Sequence, residues 1–138
     1  MKSAPPFTGC SASVGCCALF ALFLGLIVGN AYCQEAVSAE HLVGTWKVDL
    51  RPTPESDPYF KEFVVTAVEG NTFTGTFYDT EISEARINTD WGKLRIAFVT
   101  EDGSGAYHHS ATLEKEGLEG QSNSTGRGFL SYWSAVKQ

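Results

Sequence analysis

From residue 41 onward, apolar and polar side chains alternate in short runs separated by turn-forming residues. In HLVGTWKVDL, Leu42, Trp46, Val48 and Leu50 share one parity while Lys47 and Asp49 share the other. A period of two belongs to a half-buried strand, because successive side chains leave opposite faces of the pleat. Turn chemistry recurs at RPTPESDP (51–58), EGN (69–71), DTE (79–81), TDWG (89–92), EDGSG (101–105), EKEG (114–117) and NSTGRG (123–128). These seven breaks predict eight strands, near 42–50, 60–68, 72–78, 82–89, 93–100, 105–113, 117–122 and 128–136. No segment carries a helical apolar period, and only ISEARINT (82–89) leaves room for a helical turn. Short loops between consecutive strands predict an all-β fold, an eight-stranded antiparallel up-and-down barrel, with a β-sandwich as the alternative.

The parity also predicts faces. Leu42, Gly44, Trp46 and Val48 point inward from the first strand, and Phe73, Gly75 and Phe77 from the third. Leu94, Ile96 and Phe98 do so from the fifth, and Tyr107, His109, Ala111 and Leu113 from the sixth, which leaves His108 outside. The second and eighth strands, FKEFVVTAV and GFLSYWSAV, are apolar on both faces. Their outer residues form an exposed patch, or cover either a neighbouring subunit in a homo-oligomer or the first turn of the mature chain. An eight-stranded barrel is just wide enough to be filled by side chains or to hold one small molecule. The many aromatic residues favour filling, whereas Ala67, Gly75, Ala111 and Ala135 favour a pocket, so both remain open.

The amino-terminal third follows other rules. Residues 17–29, CALFALFLGLIVG, form an uncharged apolar run shorter than the roughly 18 residues that a membrane span requires. Following Lys2 and preceding the small residues Ala31 and Cys33, this run reads as a secretory signal cleaved near Cys33–Gln34. Residues 1–33 are therefore expected to be a signal peptide, and 34–138 a single domain that is secreted or periplasmic. An uncleaved anchor, which would be the only membrane contact, and a lipidated amino terminus are the alternatives. All four cysteines, Cys10, Cys16, Cys17 and Cys33, fall in the leader, so the domain has neither a disulfide nor a thiol nucleophile. Reducing agent is accordingly expected to leave its melting temperature unchanged in a thermal unfolding scan.

Loss of the leader removes Lys2 from 10 basic residues and none of 16 acidic ones. So acidic a surface, without a Lys/Arg cluster, excludes nucleic acid as a partner. No His-x-His or His-x-x-x-His pair accompanies His108 and His109, so no metal site is expected, and no cofactor motif is present. A serine-hydrolase elbow is also missing. The candidate ligand-binding residues are Tyr78, Arg86, Asn88, Trp91, Tyr107, His109 and Trp133. Arg86 either points inward, where it needs an acidic partner such as Glu84 or a ligand, or stands in solvent with Ala85 and Ile87 inward. Trp91, in a turn, is expected to pack on the barrel rim or on a ligand, and Trp133 to lie near Trp46 on the neighbouring strand. Asn123-Ser124-Thr125 is a formal glycosylation acceptor.

At GTWKVDL the sequence resembles the calycins, the small β-barrels that include lipocalins, fatty-acid-binding proteins and avidins. The resemblance implies that Gly44 lets the first strand bend closely and that Trp46 closes one end of the barrel. FVVTAVEGNTFTGTFY, HSAT (109–112) and ARINTDW (85–91) are similar to avidin segments, but the last two occur in reversed order. The last-strand aspartate of the avidins has no counterpart, so biotin is not the implied ligand. The chain is also similar to periplasmic inhibitors of secreted metalloproteases and to exported bacterial proteins of unassigned function. Together these readings predict an exported binding module for a small, partly apolar ligand. The alternative is a protein-interaction barrel with no internal ligand, and an enzyme using His109 with Arg86 or Tyr107 is a third possibility.

Overall fold

The computed structural model describes residues 37–138; the expected leader and its cleavage site lie outside them. Nine antiparallel strands form one sheet: β1 (Gly44–Asp49), β2 (Phe60–Glu69), β3 (Thr72–Phe77), β4 (Thr80–Glu81), β5 (Ser83–Asn88), β6 (Arg95–Asp102), β7 (Gly105–Glu114), β8 (Gly117–Ser124) and β9 (Phe129–Lys137). Their order, β4-β3-β2-β1-β9-β8-β7-β6-β5, brings the last strand beside the first and leaves β4 and β5 at the seam. Isolated bonds cross that seam: the Ile87 amide donates to Asn71 O at 2.7 Å and the Thr72 hydroxyl to Ala85 O at 3.0 Å. The result is a nearly closed barrel, not a sandwich.

The eight expected strands are all present, and the ninth arises at the seam. Phe77 pairs with Thr80, so Tyr78-Asp79 is a two-residue turn. Both residues have positive φ, 54° and 63°, as a type I′ hairpin requires. The chain thus reverses one residue earlier than the DTE motif suggests, and Thr80–Glu81 returns as a short strand. Ile82 then separates β4 from β5, and β5 itself shifts register against β6 between Ser83 and Arg86, with Glu84 at φ 50°.

One end is closed by a 3₁₀ turn, Ala39–Leu42, capped by the Ser38 hydroxyl. The buried Trp46 indole N–H donates to Leu42 O at 2.9 Å and fixes the turn across the strands. Lys137 ties the same end together, with Nζ donating to His41 O at 2.7 Å and lying 5.4 Å from the Trp46 ring. Gly44, at φ 133°, occupies a conformation that side-chain-bearing residues rarely adopt, and a Cβ there would meet Lys137 Cε at 3.0 Å. Gly44 and Trp46 thus both lie at this end of the barrel, next to Lys137.

Above this plug the barrel is filled. Phe63, Phe73, Phe77 and Phe98 pack with ring centroids 5.4–6.1 Å apart. Trp133 is fully buried, but its ring lies 5.2 Å from Phe77 and over Gly120, whereas Trp46 sits opposite Lys137 on β9. A methyl group on Gly120 would come within 2.4 Å of the Trp133 ring. Gly120→Ala is therefore expected to cost about 1–3 kcal/mol in denaturant unfolding, as overpacking does; an unchanged midpoint would mean that the indole moves aside freely.

Outside the barrel, Leu130, Tyr132 and Val136 of β9 and Phe60 of β2 are exposed, as the two-faced apolar pattern predicts. Lys47 and Asp49 of β1 stand between them, and the Lys47 ammonium covers the Phe60 ring at 3.7 Å. Among the described residues, no helix is long and apolar enough to cross a membrane.

Candidate functional site

The end of the barrel opposite Trp46 is open. A cavity of about 500 Å³ lies within this mouth, enclosed by the β1–β2 loop, the β3–β4 turn, the upper parts of β6–β9 and their turns. The loop is held over the opening by local bonds. The Leu50 amide donates to Tyr59 O at 2.9 Å, and Arg51 Nε donates to the Asp49 carboxylate at 2.7 Å. The Arg51 hydrogen bond keeps the Asp49 carboxyl below its ordinary range.

The floor consists of three side chains on adjacent strands, each on the inward parity. Phe98 pairs with His109, and His109 with Ser122, while Thr100 continues the inward row of β6. His109 Nε2 shares a hydrogen bond with Thr100 Oγ1 at 2.9 Å, and Nδ1 shares one with Ser122 Oγ at 2.7 Å. The imidazole lies between aromatic rings, 4.6 Å from both Phe77 and Phe98. Burial, and secondarily the neighbouring His108, lowers its pKa to about 4. At neutral pH the ring is uncharged, so one nitrogen carries a proton and the other accepts one. In one tautomer Thr100 donates to Nε2 and Nδ1–H donates to Ser122, which frees the Ser122 proton; in the other the roles are exchanged. Either way the floor offers the cavity one hydroxyl proton, with an acceptor oxygen at the other end of the chain.

Such an arrangement orients a polar group. As a hydrolytic dyad it lacks a carboxylate behind the ring: among the described residues, hydroxyls bond both imidazole nitrogens. A base with a pKa near 4 is also far from the value suited to neutral-pH proton abstraction.

Aromatic side chains form the walls. The Tyr107 ring stacks on His109 with centroids 6.5 Å apart, and Phe129 meets Tyr107 edge-on at 6.0 Å. Arg127 Nη1 donates to the Tyr107 hydroxyl at 2.8 Å, and its guanidinium lies 5.5 Å from the Phe129 ring. Opposite, Tyr59 and Tyr78 share a hydroxyl–hydroxyl hydrogen bond, and Lys61 Nζ stands 4.6 Å from the Tyr78 ring. Tyr78 holds a left-handed backbone conformation that is costly for a bulky residue, and such strain concentrates at binding sites.

Of the candidates from sequence, Tyr78, Tyr107 and His109 line this cavity. Trp133 lies deeper, packed against Phe77, and does not line it; its indole N–H is buried without a hydrogen-bond partner. The other three candidates are elsewhere. Ala85 and Ile87 are buried, so Arg86 points outward, donating to Ala85 O at 2.7 Å and standing 3.8 Å from Glu84; the inward alternative does not occur. Asn88 donates to Asp90 at 3.2 Å in the turn after β5, at the closed end. Trp91, in the same turn, is 80% exposed, so the expected packing on the rim is absent.

Sequence reasoning missed Thr100, Ser122, Tyr59, Arg127 and Phe129. The first two were detectable, because they are hydroxyl residues continuing inward-facing apolar rows. A larger depression of about 750 Å³ lies on the outer face of β6–β9, flanked by Arg95, Thr112, Glu119, Gln121 and Tyr132. It consists mainly of outward side chains and has no buried polar network, so the mouth is the better candidate. Among the described residues, no three His, Cys, Asp or Glu side chains gather closely enough to hold a metal. No family model matches this sequence, and no curated protein or solved structure matches it.

Proposed function

We propose that the protein is an exported, calycin-like binding module that holds a small, partly apolar molecule in the open mouth of its barrel. The observation that carries this reading is the contrast between the two ends. One end is plugged by Trp46 and the 3₁₀ turn, while the other encloses about 500 Å³ between aromatic walls above a hydrogen-bonded polar floor. Ligand sites have this character: a concave, mostly apolar enclosure of some 300–1,000 Å³ with a few convergent polar groups. Export rests on the apolar run at 17–29 and the small residues that follow it.

Native mass spectrometry of the protein purified without denaturation from its own source tests this. A reproducible mass excess that vanishes on unfolding is the expected result. A clean monomer mass would contradict it. A clean multiple would instead favour the second reading, an interaction module using the exposed Leu130, Tyr132 and Val136 on β9.

A further inference from the structure

We propose that the occupant of the mouth is a flat aromatic carboxylic acid that places a hydroxyl on the Thr100–His109–Ser122 floor and its carboxylate beside Arg127. This inference rests on reading the mouth as a ligand site, and adds the ligand's chemical class. The walls favour a planar body, since Tyr59, Tyr78, Tyr107 and Phe129 present ring faces and edges to the cavity.

The floor selects a neutral hydrogen-bonding group. Its chain presents a donor at one end and an acceptor at the other, which suits a hydroxyl that both gives and takes a bond. A charged group there would be desolvated without a counter-ion, because the charged lining residues stand at the rim, Asp102 as the last residue of β6 and Arg127 in the turn between β8 and β9.

The rim supplies the missing charge. Arg127 uses Nη1 on the Tyr107 hydroxyl and retains other N–H groups in a geometry suited to a carboxylate. Asp102 is engaged in its own turn, accepting from the Ser104 amide at 2.7 Å. Lys61, beside Tyr59 and Tyr78, adds a second cation at the mouth of a protein that is acidic overall. Tyr107 lies 6.5 Å from the His109 ring and 6.0 Å from the Arg127 guanidinium, a path that matches a fused two-ring body carrying groups at both ends.

The test is calorimetric titration with 6-hydroxy-2-naphthoate, its methyl ester, and 2-naphthoate, which lacks the hydroxyl. The hydroxy acid is expected to bind about fivefold more tightly than its ester, the effect of one solvent-edge ion pair, and more tightly than 2-naphthoate. Arg127→Gln should shrink the preference for acid over ester to about one, because the ion pair that distinguishes them is gone. If the ester binds the wild type as tightly as the acid, the inference fails while the mouth remains a ligand site. If none of the three binds, the inference fails, and the reading of the mouth as a ligand site then fails only if native mass spectrometry also gives a clean monomer mass.

Discussion

Trp46→Ala is expected to lower the unfolding free energy by about 3–5 kcal/mol, near the top of the range for a single truncation. The indole does more than fill volume. It is buried, its N–H satisfies Leu42 O, and Lys137 lies against its ring while bonding His41 O. Removing it leaves a cavity at the closed end, costs the 3₁₀ turn one of its carbonyl partners, and loosens the tie between that turn and β9. Chemical denaturation followed by circular dichroism measures the loss. A change below about 1 kcal/mol would mean that Trp46 does not close a core, since buried large-to-small substitutions cost more than that.

Acidification is expected to produce the second large effect, at His109. The folded-state pKa of this residue lies near 4, below its ordinary 6.5, because burial among Phe77, Phe98 and Tyr107 disfavours the charged ring. Below pH 6.5 the unfolded chain takes up a proton here that the folded chain refuses until about pH 4. Stability therefore falls as pH falls through that window, is unaffected by this group above it, and loses nothing further to it below. The whole step amounts to roughly 3 kcal/mol. Asp49, held down chiefly by its hydrogen bond to Arg51, contributes with the same sign but only as pH drops below its ordinary 3.8. Comparing unfolding midpoints of the wild type and His109→Gln between pH 7 and pH 4 isolates the imidazole. The wild type should lose stability more steeply, and parallel curves would mean that His109 is not a buried neutral ring.

The barrel was largely legible from residue order because turn residues punctuate it and one parity of each strand is apolar. Phe73, Phe77, Leu94, Ile96 and Phe98 are buried where alternation places them. The ninth strand was not legible: the DTE motif marks a turn, but not that Tyr78-Asp79 completes it in two residues, a turn usually built from Asn-Gly, so that Thr80–Glu81 pairs back. Arg86 followed the outward alternative, in a segment whose ladder is broken between Ser83 and Arg86. The site divides in the same way. His109 and Tyr107 follow from parity, and the floor hydroxyls Thr100 and Ser122 continue inward rows that begin with Leu94, Ile96 and Phe98 on one strand and Leu118 on the other. Tyr59 and Arg127 sit in or beside loops, where no periodicity aims a side chain, and they meet the mouth only because the barrel curls. Trp91 shows the converse: a large aromatic in a turn can remain in solvent, and its chemistry alone does not make it part of a site.

The most direct test of the account is to map amide and side-chain NMR shifts on addition of 6-hydroxy-2-naphthoate. The account predicts changes concentrated at Thr100, Tyr107, His109, Ser122 and Arg127, with a change in the His109 ring nitrogens as one tautomer is selected. Asn88, Trp91 and Lys137, at the closed end, should not move. Shifts confined to Leu130, Tyr132 and Val136 on the outer face, with the His109 ring unchanged, would contradict it and move the functional surface outside the barrel.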